Sequence, residues 1–562
     1  MDSSKKNNLA QDLLYIGLIF VSSVLISLPL FKGQFICSSD YAGTLMRLLS
    51  MKQCLGHGQW VVRWVPELYR GCGYPVFNFY PPLFYILGVL IAKLGANIVA
   101  AVNLSLFIVL FLSGCTMYLF AREFWGRQGG FISAAAYLFA PYHMVSLYLR
   151  SAAAETAAYV FLPLILWSFY KLKQTSLKRY LVFSSLSWAG LLLTHNCASM
   201  ILFPVVILYI FLLYRPSSYL RLISMLQGFS ALALGTGLAA FFWLPAFVEK
   251  KFVHTELLFQ GNLNFKNNFL TLKELLSPPW GRDMLYFREP HMFCQIGLAH
   301  GLIALIALLG FKRIVKNDPR LRAQILFFVA LLFGAAFLAL PYSRAVWEHV
   351  GTLQYLQFPF RFLSMVVLAV SFIAGGIVFL AGDKHRLKIA IVAVLVIFSA
   401  NFCFYCHPWD TRKCDVKLIQ SEPDKFLSEL CRQDGGEYTP IWVKHVANEF
   451  PKFMQLQKLT ALAPQDQVLD FKQISPLRYK FMVLSHHLST FYFKSFYFPG
   501  WVVKVDGYET SILKDNPFGL IAFQCPEGIH NVEVYFGATP LRQTAQVITI
   551  VSLGLLVLVY LL

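Results

Sequence analysis

Apolar stretches close to the length that crosses a lipid bilayer recur along most of the chain. A hydrocarbon core of about 30 Å needs about 20 apolar residues in a helix. Since a helix satisfies its own backbone hydrogen bonds, these stretches predict an all-α polytopic membrane domain of about 12 transmembrane helices. They run over Leu13–Phe31, Ile98–Ala121, Gly129–Leu147, Thr156–Tyr170, Tyr180–Thr194, Ala198–Tyr214, Leu222–Phe247, Phe293–Phe311, Ala323–Pro341, Phe360–Gly382, Ile389–Cys406 and Ala545–Leu562.

The composition agrees with this interpretation. Of the 562 residues, 57% are apolar and 14% are charged, against about 45–50% and about 25% in soluble proteins. The values exclude a cytosolic enzyme, a disordered chain and a fibre.

Basic residues predict the orientation of the helices. Lys and Arg collect in the cytoplasmic loops of membrane proteins, and the basic clusters between spans fall on one side if the 14-residue segment Pro82–Gly95 does not cross. We therefore expect that segment to lie at the outer interface and both termini to be cytoplasmic. The first span is expected to be an anchor, not a cleaved signal peptide.

This topology also divides the net charge of +19. The cytoplasmic segments carry +13, the outer loops of the membrane part carry +7, and the segment after the eleventh span carries −1. A nucleic-acid partner is therefore not needed to explain the charge, but the positive outer loops bear on function.

Composition changes between residues 408 and 540, where short strand-like runs alternate with turns. Asp506-Gly507 predicts a tight hairpin turn, and the Pro-Glu-Gly turn between Leu520–Phe523 and Val532–Phe536 repeats the pattern. We expect a transmembrane domain (1–407, with the first outer loop at 32–97), an extracytoplasmic, β-rich, sandwich-like domain (408–540) and a C-terminal transmembrane helix (541–562).

The long first outer loop holds the first candidate site residues. Asp40 lies about nine residues beyond the first span and precedes a stretch whose apolar spacing suits an interfacial helix. Arg47 and Arg63 follow in the same loop. His57 and Tyr80 are candidates for support, although aromatic residues here are also typical of interfacial anchors.

Further candidates lie where later spans meet the outer surface. Glu155 begins the fourth span five residues after Arg150, and a carboxylate at a membrane boundary is usually functional; the alternative is that the two simply pair. His195 ends a short span, where a helix-end histidine is the commoner role. Arg361 follows Pro359, where an arginine can bind a specific phosphate or a lipid headgroup.

Together these residues indicate one chemistry. A carboxylate outside the bilayer can take the proton of an acceptor hydroxyl. Arginines at headgroup level can bind a lipid phosphate and stabilise it as a leaving group. The combination is typical of glycosyl transfer from a polyprenyl-phosphate sugar, with Asp40 and Glu155 as the catalytic acids and Arg47, Arg63, Arg150 and Arg361 on the phosphate.

The chain resembles the GT-C superfamily of integral-membrane glycosyltransferases, and more closely the bacterial membrane proteins called "6-pyruvoyl-tetrahydropterin synthase-related". The resemblance implies a GT-C fold, a lipid-linked sugar donor and an acceptor glycan, lipid or protein of the cell envelope. It rests on Asp40 with Arg47 and on the segments Gly56–Tyr85, Leu149–Leu164, Leu193–Ser199, Phe241–Glu249, Leu356–Leu363 and Phe496–Gly507.

The chain departs from this family in two respects. Thr44 stands where relatives often have a histidine, and there is no Asp-x-Asp pair. Since one carboxylate binds Mg²⁺ or Mn²⁺ weakly, we do not expect a divalent cation to be obligatory.

Two other functions fit a polytopic chain. A transporter or flippase of a lipid-linked saccharide would suit twelve spans, but the mid-span regions contain almost no ionisable residues. A non-catalytic envelope assembly protein would use the β-rich domain to bind a polymer or a partner enzyme.

Overall fold

The computed structural model describes residues 3–32, 35–36, 40–214, 219–276, 294–315, 318–402, 411–412, 436–444, 458–461 and 463–561. Within these ranges the chain is mostly helical and ends in a β-sheet domain followed by one helix. Cys414 and Cys431 share the expected extracytoplasmic compartment, where a disulfide between them is an open question from the sequence, and both lie outside the described residues.

The helices of ten residues or more are labelled in chain order. They are α1 (Ser3–Ser27), α2 (Tyr41–Gly56), α3 (Leu83–Lys93), α4 (Ile98–Leu138), α5 (Ala153–Thr175), α6 (Lys178–Leu192), α7 (Asn196–Tyr214), α8 (Tyr219–Leu238), α9 (Ala240–Glu249), α10 (Leu298–Leu309), α11 (Pro319–Ala339), α12 (Leu363–Ala374), α13 (Arg386–Ala400) and α14 (Pro540–Leu561). Short α-helical turns occupy Leu68–Gly71, Val76–Phe79, Pro141–Met144, Leu272–Leu276, Phe311–Ile314, Arg344–His349 and Gly351–Gln354, and a π-helical turn occupies Val145–Leu149. Turns of 3₁₀ helix lie at Leu28–Lys32, Lys250–Phe252, Thr255–Phe259, Gly261–Leu263, Phe265–Asn267, Pro341–Ser343, Pro359–Phe362, Gly375–Leu380 and Asp383–His385.

Seven helices of the described residues are long and apolar enough to cross a membrane, and an eighth span is formed if Met225–Leu238 and Ala240–Phe252, bent by 71°, count as one. The expected number of about twelve is therefore not confirmed. Two predicted spans merge in α4, whose 41 residues are interrupted by Gly126 at φ 68°. Others, such as α10 with 12 residues, are shorter than the roughly 20 residues of a full span.

An ion-pair cluster marks one end of the helix bundle. Asp12 of α1 pairs with Arg122 (3.1 Å) and Arg127 (3.0 Å), which flank the break at Gly126. The N-terminal part of α1 and the middle of α4 therefore lie at the same end. Since α4 continues from this break to Leu138, the residues that follow it reach the opposite end, where the candidate site lies.

The first loop packs inward more than the sequence suggested. Most of α2 is buried, and a Cβ on Gly88 of α3 would meet Leu48 of α2 at 2.7 Å. Helix α2 is therefore a packed element of the fold and not a helix resting on the bundle surface. Helix α3 has 11 residues, too few to cross a bilayer, as expected for Pro82–Gly95.

The C-terminal strands form two antiparallel sheets. The strands of the described residues are β1 (Phe35–Ile36), β2 (Thr411–Arg412), β3 (Leu459–Ala461), β4 (Gln467–Ser475), β5 (Arg478–Ser485), β6 (Ser489–Phe496), β7 (Trp501–Val505), β8 (Tyr508–Thr510), β9 (Leu520–Cys525) and β10 (Gly528–Phe536). One sheet has the order β4-β5-β10-β7-β8 and the other β3-β6-β9, while β1 and β2 form a separate two-stranded pair.

One of the two predicted hairpins forms. Val505 pairs with Tyr508, and Asp506 and Gly507 have φ values of 50° and 88°, as a type I′ turn requires. The second prediction is wrong, because β9 pairs with β6 and β10 pairs with β5 and β7. The Pro-Glu-Gly turn connects two different sheets instead of two paired strands.

Aromatic side chains join the first loop to the β-domain. The Trp64 ring lies 5.9 Å from Phe498, 5.9 Å from Trp501 and 5.7 Å from Phe536, between ring centroids. A backbone hydrogen bond also connects the first loop to the β-domain, because the N–H of Phe496 donates to the carbonyl of Cys72 at 2.7 Å. The loop that begins at Asp40 is therefore fixed between the helices and the β-domain.

Candidate functional site

Glu155 is at the centre of a buried polar cluster. It lies in the first turn of α5 with 4% of its surface exposed. Its Oε1 accepts hydrogen bonds from the hydroxyls of Tyr142 (2.6 Å) and Tyr159 (3.3 Å), and its Oε2 accepts one from Nη1 of Arg150 (2.9 Å). Because both carboxylate oxygens already accept hydrogen bonds, Glu155 holds Arg150 in place and is poorly suited to accept a proton from a substrate.

The backbone before α5 explains why two residues five positions apart can pair. After α4 the chain forms a helical turn at Pro141–Met144 and a π-turn at Val145–Leu149. Ser151 then has φ 49°, a left-handed conformation that is unfavourable for residues other than glycine. This bend folds Arg150 back over the first turn of α5, where Glu155 lies.

Arg361 and His195 complete the cluster from other helices. Nε of Arg361 lies 3.9 Å from Oε2 of Glu155, and its Nη1 donates to the carbonyl of Leu356 at 2.6 Å. Nδ1 of His195 accepts the backbone N–H of Ala198 at 3.1 Å, which is the helix-end role. Burial lowers the pKa of His195 to about 3, although the charge of Glu155 opposes the shift, so His195 contributes a neutral imidazole.

Asp40 lies beside this cluster with its carboxylate free of its own helix. It is the exposed N-cap residue of α2, and its side chain makes no capping hydrogen bond. Its backbone N–H donates to the carbonyl of Arg150 at 3.3 Å. Burial alone would lower the pKa of Arg150, but the charges of Glu155, Tyr142 and Asp40 raise it, so the guanidinium stays charged next to Asp40.

Arg47 and Tyr80 form the other flank of Asp40. The guanidinium of Arg47 lies 4.1 Å from the centroid of the Tyr80 ring, a cation–π distance. Burial, together with Tyr85, raises the pKa of Tyr80 well above its ordinary value, while Arg47 opposes the shift and Asp40 adds to it. Asp40 is thus within electrostatic reach of Tyr80 as well as of Arg150.

Two guanidinium groups share one buried carboxylate. Arg150 and Arg361 lie 2.9 Å and 3.9 Å from Oε2 of Glu155, and the carboxylate of Asp40 lies beside them in an exposed position. A phosphate can accept hydrogen bonds from an arginine fork.

Two predicted site residues lie elsewhere. Arg63 donates to Oδ1 of Asn78 (3.0 Å) and to the carbonyl of Phe241, in a network separate from Glu155. His57 is exposed at the opposite end of α2 from Asp40, and the 16-residue helix places them about 24 Å apart along its axis. Among the predicted residues, the structure therefore brings together Asp40, Arg47, Tyr80, Arg150, Glu155, His195 and Arg361.

Sequence reasoning missed several partners. Tyr159 lies four residues after Glu155 in α5, a spacing that places two side chains on one helix face, so it could have been found. Glu249 and Arg542 form a second buried ion pair at 3.0 Å, and their separation in sequence gave no signal. Within the described ranges no group of three or more His, Cys, Asp or Glu residues could hold a metal ion.

A family model described as "6-pyruvoyl-tetrahydropterin synthase related domain; membrane protein" matches residues 77–406. The chain belongs to this family of membrane proteins. The matched region contains Tyr80, Arg150, Glu155, His195 and Arg361, whereas Asp40 and Arg47 precede it.

A curated relative is an uncharacterized protein of Lactococcus lactis subsp. cremoris (strain MG1363). It is 24% identical over 312 residues, which cover 53% of this chain and 50% of the relative. The chain thus matches about half the length of that protein.

Similar solved structures include glycosyltransferases. Arabinofuranosyltransferase AftD from Mycobacteria is 15% identical with a TM-score of 0.45, covering 70% of this chain and 26% of that one. ArnT from Cupriavidus metallidurans, solved with undecaprenyl phosphate, is 13% identical with a TM-score of 0.41 and coverages of 75% and 76%. The Archaeoglobus fulgidus oligosaccharyltransferase is 11% identical with a TM-score of 0.42 and coverages of 70% and 55%. Each score is below 0.5, so these likenesses assign neither activity nor substrate to this chain.

Proposed function

We propose that the protein is a membrane glycosyltransferase that moves a sugar from a polyprenyl-phosphate-linked donor to a hydroxyl of an acceptor in the cell envelope. The observation that carries the proposal is the position of Asp40, an exposed carboxylate whose backbone is bonded to that of Arg150, beside a cluster in which two guanidinium groups share one buried carboxylate. The proposed site faces the outside of a bacterial inner membrane.

The proposed reaction needs a base and an anion site close together. The acceptor oxygen forms a bond to the anomeric carbon of the sugar, and the bond from that carbon to the phosphate oxygen breaks. Asp40 takes the proton of the acceptor hydroxyl. The electron pair leaves with the polyprenyl phosphate, whose added negative charge is stabilised by Arg150 and Arg361, with Arg47 at the other side of Asp40.

Glu155 has a positioning role in this scheme. Its two oxygens bind Arg150, Tyr142 and Tyr159 and lie near Arg361. Fixing the two guanidinium groups before the donor arrives reduces the side-chain ordering that donor binding would otherwise require. Arg63 and His57 have no part in the proposed chemistry, because they lie outside this cluster.

The test uses the full chain in lipid nanodiscs with a panel of synthetic decaprenyl-phosphate-linked pentoses and hexoses and a bacterial envelope extract as acceptor. We expect release of decaprenyl phosphate with one class of donor, and loss of at least about 100-fold in Asp40→Asn, the range for removing a general base. Asp383→Asn is the matched control, since Asp383 is exposed and pairs with Arg386 at a different surface.

Transfer by Asp40→Asn at the parental rate would exclude the assignment of Asp40. If reconstituted vesicles moved the lipid-linked sugar across the bilayer without any covalent transfer, the protein would be a transporter and the proposal would be wrong.

A further inference from the structure

A second cluster of cationic groups lies where the first loop, α9 and α14 meet. Arg542, in the first turn of α14, donates from Nη2 to Oε2 of Glu249 at 3.0 Å. The same oxygen accepts from Nδ2 of Asn78 at 2.8 Å, and Oδ1 of Asn78 accepts from Arg63. Both guanidinium groups are therefore linked through Glu249 and Asn78.

This cluster carries more positive than negative charge. Arg63, Arg542 and Glu249 are 7%, 1% and 2% exposed, so one carboxylate opposes two buried guanidinium groups. Burial and the charge of Arg542 lower the pKa of Arg63 to about 10, while Glu249 opposes the shift. The N-terminus of α14 adds the positive end of a helix dipole next to Arg542.

Hydrogen-bond donors in this cluster lack partners within the described part of the chain. Nη1 of Arg542 is buried and unbonded there, and so are both polar atoms of the Gln59 side chain, the donor Nε2 and the acceptor Oε1. Both residues, with Arg63, line one cavity of about 230 Å³. Since leaving a buried charged donor unpaired is costly, an anionic group in the cavity would satisfy both the charge and the donors.

An apolar groove continues from this cavity. It has a volume of about 410 Å³ and shares Val61, Arg63 and Gln546 with the cavity. Phe241 and Phe242 line it on one side and Ile550 of α14 on another. A polar, cationic end joined to an apolar groove beside a membrane-spanning helix has the shape and chemistry of a lipid site.

The groove is distinct from the proposed catalytic site. Met51 and Leu55 of α2 line it, and these residues lie 11 and 15 positions beyond Asp40 in the same helix, about 16 and 22 Å along its axis. A lipid in the groove therefore binds away from the base of the proposed reaction.

We propose that this groove binds one anionic glycerophospholipid, with its phosphate against Arg63 and Arg542 and one acyl chain along Phe241, Phe242 and Ile550. The bound lipid joins the first loop to α14 and, through α14, to the β-domain. The site extends beyond the proposed function and does not depend on it.

The test measures lipid retention by native mass spectrometry of the full-length, delipidated protein in detergent. The probes are dioleoyl phosphatidylglycerol, dioleoyl phosphatidylcholine and undecaprenyl phosphate. We expect one tightly retained phosphatidylglycerol, and binding about tenfold weaker in Arg63→Gln, as for loss of one charge-assisted hydrogen bond.

A second variant leaves the ionic network intact. Ile550→Trp fills the groove from an exposed position, whereas Val551→Trp changes another exposed position of α14 that does not line it. We expect weaker phosphatidylglycerol binding in the first and parental binding in the second. Equal retention of phosphatidylcholine, preference for undecaprenyl phosphate, or parental binding in Ile550→Trp would each overturn the proposal.

Discussion

Arg150 and Glu155 form an ion pair of 2.9 Å in which both side chains are almost fully buried, at 7% and 4% exposure. Arg361 approaches the same carboxylate from the start of another helix, at 3.9 Å. One carboxylate thus fixes two cations from separate parts of the chain. The alternative that Arg150 and Glu155 pair with each other is confirmed. In the proposed function, the same pairing holds the Arg150 guanidinium in position to bind the donor phosphate.

We expect Glu155→Gln to destabilise the protein by about 3–5 kcal/mol, because it removes one partner of a buried ion pair and leaves the guanidinium uncompensated. Thermal unfolding of the purified protein in detergent measures the change. The control is Glu348→Gln, whose carboxylate pairs with Arg344 at 3.0 Å on the surface, where an ion pair contributes little, so stability should be almost unchanged. Equal, small shifts in the two variants would contradict the structural role of Glu155.

We expect Glu249→Gln and Arg542→Met, made singly, each to destabilise the protein, and the double variant to lose less than the sum. Each single change leaves a buried charge without its partner, whereas the double change removes both charges. Unfolding midpoints of the four proteins give the coupling free energy, expected at about 0.5–3 kcal/mol for residues in contact. Strict additivity would mean that the 3.0 Å contact contributes nothing.

We expect Gly73→Ala to be more harmful than Gly71→Ala. Both glycines have φ near 83°, so both variants incur backbone strain of about 1–2 kcal/mol. Only at Gly73 would the new Cβ meet another side chain, the indole of Trp64, at 2.3 Å, which adds about 1–3 kcal/mol for overpacking. Limited proteolysis of the first loop and thermal unfolding should rank the two variants in this order.

We expect the turn between β7 and β8 to be better protected at pH 5.5 than at pH 8. The hydrogen bond between His530 and Asp506, 2.6 Å long, raises the pKa of His530 above 6.5 and lowers the pKa of Asp506 below 3.8. The stabilisation by His530 is complete below pH 6.5 and is lost as the pH rises through the raised pKa of His530. The stabilisation by Asp506 is complete above pH 3.8 and is lost as the pH falls through the lowered pKa of Asp506.

Hydrogen–deuterium exchange, corrected for the intrinsic effect of pH, measures this difference. The pair is partly exposed, so the effect should be at most about 1 kcal/mol, or about fivefold in exchange rate. His530→Gln should abolish the pH difference in the turn. If the exchange rate of the turn still depended on pH in His530→Gln, another titrating group would be responsible for the pH dependence.

Local patterns predicted much of the molecule. Apolar stretches predicted the membrane domain, and the Asp506-Gly507 dipeptide predicted its hairpin, because both follow from the preferences of neighbouring residues. The cationic character of the outer loops pointed to Arg150 and Arg361 in the same way. The roles of Asp40, Arg47, Arg150, Glu155 and Arg361 in transfer remain predictions.

The sequence by itself determined that the chain is a membrane protein with a β-rich segment before its last helix, since hydropathy and turn chemistry act over a few residues. Only the tertiary structure decided which charges share a site. In the folded structure Arg361 lies near Glu155, whereas Arg63 belongs to a separate network. Glu249 pairs with Arg542, which no sequence pattern indicated. The physical reason is that a buried charge is stabilised by the nearest opposite charge in space, and helix packing brings together partners that lie hundreds of residues apart in sequence.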